Sequence, residues 1–145
     1  MVIGPQITRL RFPEYLDIGL LIVRVCTGVV FMYHGYPKMF GGIIAWEKYG
    51  ALGMSSIGVD FFLPFWGFMA AFSEFIGGLF LLFGLFSRPA LILIFLTMFF
   101  AVLYHINSGK GSPVSAMQWI AITTALFLAG SGKYSLDYLL VNKTL

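Results

Sequence analysis

Six side chains of this sequence stand where chemistry is costly to place without a use. Arg24 and Glu74 each interrupt an otherwise apolar run, His34 and Lys38 lie four residues apart, and Tyr104 adjoins His105. An arginine inside hydrocarbon costs about 2.5–3.5 kcal/mol on insertion scales, so a buried partner is its natural solution. Glu74 has Ala70, Ala71, Gly77 and Gly78 at helical spacing, and Gly67 extends the same face. Small residues on one face let another helix approach closely, so Glu74 points at protein and not at lipid. With the first helix running outward and the second inward, Arg24 and Glu74 are expected at similar depths as a buried ion pair. Such a pair either fixes helix register or carries function, and intramembrane charge is a functional hypothesis by default.

His34 and Lys38 share a helix face at i, i+4 spacing. Lys38 is also fourteen residues from Arg24, which places Arg24, Phe31 and Lys38 on one heptad stripe. His105 ends the third apolar run, so both histidines reach one membrane level. Two histidines at one depth could meet a quinone carbonyl, relay protons, or hold a haem iron or a metal. Quinone or proton-relay use is favoured over haem, and no metal-ligand set is assigned. The alternative is a pair of interfacial histidines wetted at the headgroups.

These groups have to be positioned by a very apolar chain. Of 145 residues, 59% are hydrophobic and 10% charged, with a mean hydropathy of +0.91. Soluble domains carry about 25% charged residues, so a soluble monomer could not cover its surface. Disorder is excluded by the 18% aromatic content. Nine Lys and Arg give a net charge of +3 but are spread singly. No basic cluster is present to neutralise phosphates, and nucleic acid is not an expected partner. Cys26 is the single cysteine, so no intrachain disulfide or CxxC pair can form. No dinucleotide fingerprint, phosphate loop, HExxH or GxSxG motif occurs.

Four apolar runs, about 18–36, 61–86, 89–107 and 114–131, approach the roughly 20 residues needed to span a bilayer. Strict alternation is lacking, so a transmembrane barrel is not expected. The sequence predicts one all-α membrane domain over 1–145, a bundle of four transmembrane helices. Pro64 suits a first helical turn, Ser87-Arg88-Pro89 breaks the second run from the third, and Gly109, Gly111 and Pro113 mark the next turn. Between 41 and 60, Trp46, Tyr49 and Leu52 recur at helical spacing, which predicts a short interfacial helix. The alternative there is an irregular loop with aromatic anchors. The first run is too long, and too interrupted by Arg24, for a cleaved signal peptide. Arg9, Arg11, Arg88, Lys133 and Lys143 fall on one side, and Lys38, Lys48 and Lys110 on the other. Both termini are therefore expected on the cytoplasmic side of a prokaryotic inner membrane.

Taken together, the segments LLIVRVCTGVVFMYHGYPKMFGG, SEFIGGLFLLFGLFSRPA, the Tyr104–His105 pair and GSGKYSLD resemble the DoxX family of small bacterial and archaeal membrane proteins. The resemblance runs from about Leu20 to Tyr138. It implies a four-helix membrane fold and an association with redox chemistry, since the family takes its name from a subunit of an archaeal thiosulfate:quinone oxidoreductase. It does not by itself establish catalysis. The resulting expectation is a redox-associated subunit whose polar axis of Arg24, Glu74, His34, Lys38 and His105 offers a site for a quinone or similar apolar ligand. A partner protein would supply electrons. A non-enzymatic scaffold or assembly factor is the first alternative, and a small-solute transporter the second. The bilayer is the expected environment, and the Gly and Ala faces can also pack between copies of the chain.

Overall fold

The computed structural model describes residues 12–143, and among these every regular element is helical. Arg9 and Arg11, used above for orientation, lie outside the described residues. The elements are α1 (Phe12–Met39), α2 (Gly42–Met54), a 3-10 turn (Ser55–Ile57), α3 (Leu63–Phe83), α4 (Ser87–Ser108), α5 (Val114–Ala129) and α6 (Leu136–Lys143). Among the described residues, three helical stretches, Tyr15–Met39, α3 and α4, are long and apolar enough to cross a membrane. The apolar α5 is shorter, with 16 residues. At 1.5 Å per residue it extends about 24 Å. The all-helical membrane bundle expected from composition is what the chain forms.

Helix ends follow local chemistry. Pro64 occupies the first turn of α3, and Gly84 ends that helix in the left-handed conformation at φ 65°. The short helix expected between 41 and 60 forms as α2. The eight-residue α6 was not expected. Its start is set by Ser135, whose hydroxyl accepts the Tyr138 N–H at 3.2 Å, with Asp137 in the first turn. That arrangement satisfies an otherwise unpaired amide at the helix start.

α3 is the hub of the bundle, and its small residues are divided among three neighbours. Gly78 faces Gly28 and Met32 of α1, Gly77 faces Ile94 and Ala90 of α4, and Gly67 abuts the Trp46 backbone in α2. Ala71 is fully buried, whereas Ala70 lines a cavity described below. A methyl group at Gly28 would come within 2.7 Å of the Gly78 carbonyl oxygen, so the α1–α3 contact excludes even alanine there. Gly50 of α2 is packed just as tightly against the Leu63 backbone, which fixes α2 across the beginning of α3. Phe31, Leu81, Leu91, Ile94 and Leu126 form the buried core, and Trp119 meets the Phe31 ring edge-on at 5.0 Å.

Candidate functional site

The α1–α3 register decides which charges meet. Gly28 lies against Gly78 and Leu82, and Gly35 lies against Glu74 and Phe75. Extending this antiparallel register brings Arg24 to Gly84 at the end of α3, and Lys38 to Glu74. The structure therefore does not form the expected Arg24–Glu74 pair. Ten residues separate Glu74 from Gly84 on α3, about 15 Å along the axis, so the two charges occupy different depths. The stripe of Arg24, Phe31 and Lys38 does face inward: Arg24 and Phe31 are buried and Lys38 is largely so.

At the end of the bundle that holds α6, Arg24 is 2% exposed and is held by backbone. Its Nη1 donates to the Ser131 carbonyl at 2.6 Å and its Nη2 to the Tyr134 carbonyl at 2.9 Å. Asp137 lies beside it and interacts with it electrostatically. The Asp137 carboxylate accepts the Phe86 N–H at 2.8 Å, the Ser87 N–H at 3.0 Å and the Ser131 hydroxyl at 3.3 Å. It thereby caps α4 from fifty residues away, a favourable place for an anion. Burial pushes this carboxyl upward, but the hydrogen bonds from Ser87, Phe86 and Ser131 outweigh it and hold Asp137 below its ordinary range. The Asp137 N–H closes the cluster on the Gly84 carbonyl at 2.9 Å. Nearby, Asp17 accepts the Lys133 N–H at 3.1 Å and pairs with its ammonium at 3.5 Å.

At the opposite end, where α2 lies, Lys38 Nζ contacts both Glu74 oxygens at 2.6 Å. Glu74 is 2% exposed and Lys38 22%. The Lys38 ammonium also stands 5.1 Å from the centre of the Tyr49 ring, within cation–π reach. Its carbonyl accepts the Trp46 indole N–H at 3.0 Å, tying the end of α1 to α2. This pair forms part of the wall of a half-open cavity of about 330 Å³ between α2, α3 and α4. Most of the lining is apolar, including Met54, Phe65, Met69, Leu96 and Phe100. Polar lining groups are few: Lys38, Tyr49, Trp66, Ser73, Glu74, Thr97 and Tyr104. Ser73 and Thr97 are bonded to each other at 2.7 Å, and Thr97 also donates to the Leu93 carbonyl at 3.0 Å. A largely apolar cavity of this size with a few convergent polar groups is the usual form of a small-molecule site.

The structure thus brings Lys38, Glu74 and Tyr104 to one cavity. It leaves both histidines off the lining. His34 is exposed on α1 with its ring against Tyr33 at 5.7 Å. His105 closes the α4–α5 turn, its Nδ1 lying 2.6 Å from the Lys110 carbonyl oxygen. Sequence reasoning missed Asp137, the only acidic residue after Glu74, as the charge accompanying Arg24. It also missed Tyr49 and Trp66 as lining residues, which their places in α2 and early α3 determine.

A helical membrane protein with a buried ion pair beside an apolar cavity is therefore the class of molecule this chain forms. The particular family is also clear: the DoxX family matches residues 19–106, and the chain belongs to it. Among curated proteins, it is 31% identical to "Inner membrane protein YqjF" of Escherichia coli (strain K12), with 88% of this chain and 95% of that protein covered. It is 28% identical to "Putative oxidoreductase CatD" of Bacillus subtilis (strain 168), covering 80% of this chain and 81% of that one. No solved structure matches the chain.

Proposed function

We propose that this DoxX protein is a redox-associated membrane subunit whose cavity takes a quinone or a similar apolar ligand. The observation that carries the reading is the Lys38–Glu74 pair in the wall of an otherwise apolar cavity. A quinone fits that chemistry because its ring suits the apolar lining while its carbonyls need a donor. When bound, it would supply two-electron, two-proton redox chemistry, with electrons coming from a partner redox protein. Lys38 has three N–H donors and offers a proton to a ligand oxygen. Glu74 holds the Lys38 ammonium in place through both of its oxygens, and Tyr104 adds a hydroxyl to the same wall. The roles first assigned to His34 and His105 pass to these groups. A haem is disfavoured there because no histidine lines the cavity. The oxidoreductase in the printed name of the Bacillus subtilis relative agrees with this reading. In this proposal both termini face the cytoplasm and the chain resides in the cytoplasmic membrane, with the cavity in its outer half.

The test is purification in mild detergent followed by mass spectrometry of bound lipids. The reading expects a co-purifying quinone in the wild type that is lost in Lys38→Met. Absence of quinone, together with no uptake of an added one, would reject the proposal and favour a scaffold.

A further inference from the structure

One glycine of the cavity wall has no structural reason to be a glycine. Most glycines of the described chain either meet backbone too closely for a Cβ, as Gly28 and Gly50 do, or hold a left-handed φ, as Gly58 does at 80° where the chain leaves the turn after α2. Gly53 does neither. It lies in right-handed helix near the end of α2, and a Cβ built there would meet no atom within 4 Å. A helical glycine with no such neighbour is less stable than alanine, so this residue weakens α2. Gly19 shares that description but is exposed on α1 and is not part of the cavity lining. Gly53 lines the cavity and is half-buried.

The empty space beside Gly53 is the cavity. α2 lines it with Leu52, Tyr49, Gly53, Gly50 and Met54, in the order in which they follow one another around the helix at about 100° per residue. Gly53 is the middle of that arc, so a side chain there would project into the cavity. The edges of the arc are occupied: Gly50 is packed on Leu63 and Met54 is buried, while Leu52 is exposed at the other side. The Gly53 carbonyl oxygen accepts the Ser56 hydroxyl at 2.7 Å, so what the residue offers the cavity is mainly apolar Cα surface. We infer that Gly53 sets the size of ligand the cavity admits. The flat ring of a quinone-like molecule lies directly on the α2 backbone there, in space that any side chain would fill. This rests on the cavity being the ligand site proposed above, and it adds a limit of size to the polar selection by Lys38 and Glu74.

Substitutions at Gly53 test this by two measurements on the full protein in detergent: calorimetry of decylubiquinone binding, and thermal unfolding without ligand. Stability and affinity are expected to move in opposite directions. Gly53→Ala is expected to melt higher than the wild type, because alanine favours helix and has room, and to bind the quinone more weakly. Gly53→Leu is expected to melt no lower than the wild type and to bind about tenfold more weakly, the effect of inserting methylenes into occupied space. Gly19→Ala is the control, expected to melt higher with unchanged affinity. A Gly53 variant that melts below the wild type would show a glycine required by packing. Equal affinity across the series would show that no ligand group lies on α2 at this point. Either result overturns the inference and leaves the cavity reading standing, whereas no binding of decylubiquinone to the wild type overturns both.

Discussion

The two ends of this bundle each bury a cation from α1, and they treat it in opposite ways. Arg24 is met by main-chain carbonyls and by an aspartate that is itself occupied with backbone amides. The hydrogen bonds there tie α1 and the α3–α4 turn to residues 131–137. Lys38 is met by one carboxylate, and the pair stands in the wall of a cavity. A planar guanidinium with five donors suits a site that must fix several carbonyls at once. A compact ammonium on a flexible stem suits a site where a proton or a ligand oxygen has to be exchanged. The comparison teaches that buried charge alone does not mark a functional site. What adjoins the charge differs: Arg24, whose Nε has no hydrogen-bond partner, is shut in by backbone, whereas Lys38 borders a cavity.

The largest expected effect tests the cavity end. Lys38→Met leaves the Glu74 carboxylate buried without a counter-charge, which is expected to cost about 3–5 kcal/mol in thermal unfolding in detergent. Adding Glu74→Leu is expected to restore most of that stability while quinone binding stays lost. A double variant that remained as unstable as the single would show that the pair holds the bundle together, and the contrast between the two ends would collapse.

At the other end the expected pattern is reversed. Arg24→Met leaves the Ser131 and Tyr134 carbonyls without their donors and is expected to cost about 3 kcal/mol. Asp137→Asn gives up the anion at the start of α4 for about 1–3 kcal/mol. Both variants, once folded, are expected to bind ligand as the wild type does. Altered affinity in either would show that the clamp shapes the distant cavity.

Asp137 also gives that end a pH dependence with a definite sign. Its carboxyl is held below the ordinary value of about 3.9, so the folded state favours its ionised form. The stabilisation is fully present above pH about 4 and is lost as the pH falls through the folded value. Acid titration of the melting temperature is expected to show a step that is missing from Asp137→Asn.

The difference between the ends also explains how much could be read beforehand. The helical membrane class and the inward stripe of Arg24, Phe31 and Lys38 follow from composition and heptad spacing. The choice of partner for Glu74 does not, because it depends on the α1–α3 register. That register is set by where Gly28 and Gly78 let the backbones touch, and a shift of four residues along one helix moves a charge about 6 Å. Asp137 was harder still. Only the fold-back of residues 131–137 onto Gly84, Phe86 and Ser87 gives it a role, and no spacing in the sequence marks that contact. The histidines misled for a simpler reason. Membrane depth can be read from position along a helix, but two side chains at one depth can still point to different sides of the bundle.

The smallest expected effect follows from that last point and sharpens the comparison most cheaply. His34→Ala removes an exposed ring whose recorded contact is with Tyr33, and it is expected to change stability by no more than about 0.5 kcal/mol. Affinity for a quinone is expected to be unchanged, because His34 does not line the cavity. His105→Ala loses the contact with the Lys110 carbonyl and is expected to loosen the α4–α5 turn by about 1 kcal/mol, again without loss of binding. Binding isotherms for the two variants therefore separate a cavity site served by Lys38, Glu74 and Tyr104 from a histidine site at the bundle's rim. A clear loss of affinity in either would move the ligand to the rim, and the Lys38–Glu74 pair would then join Arg24 as architecture.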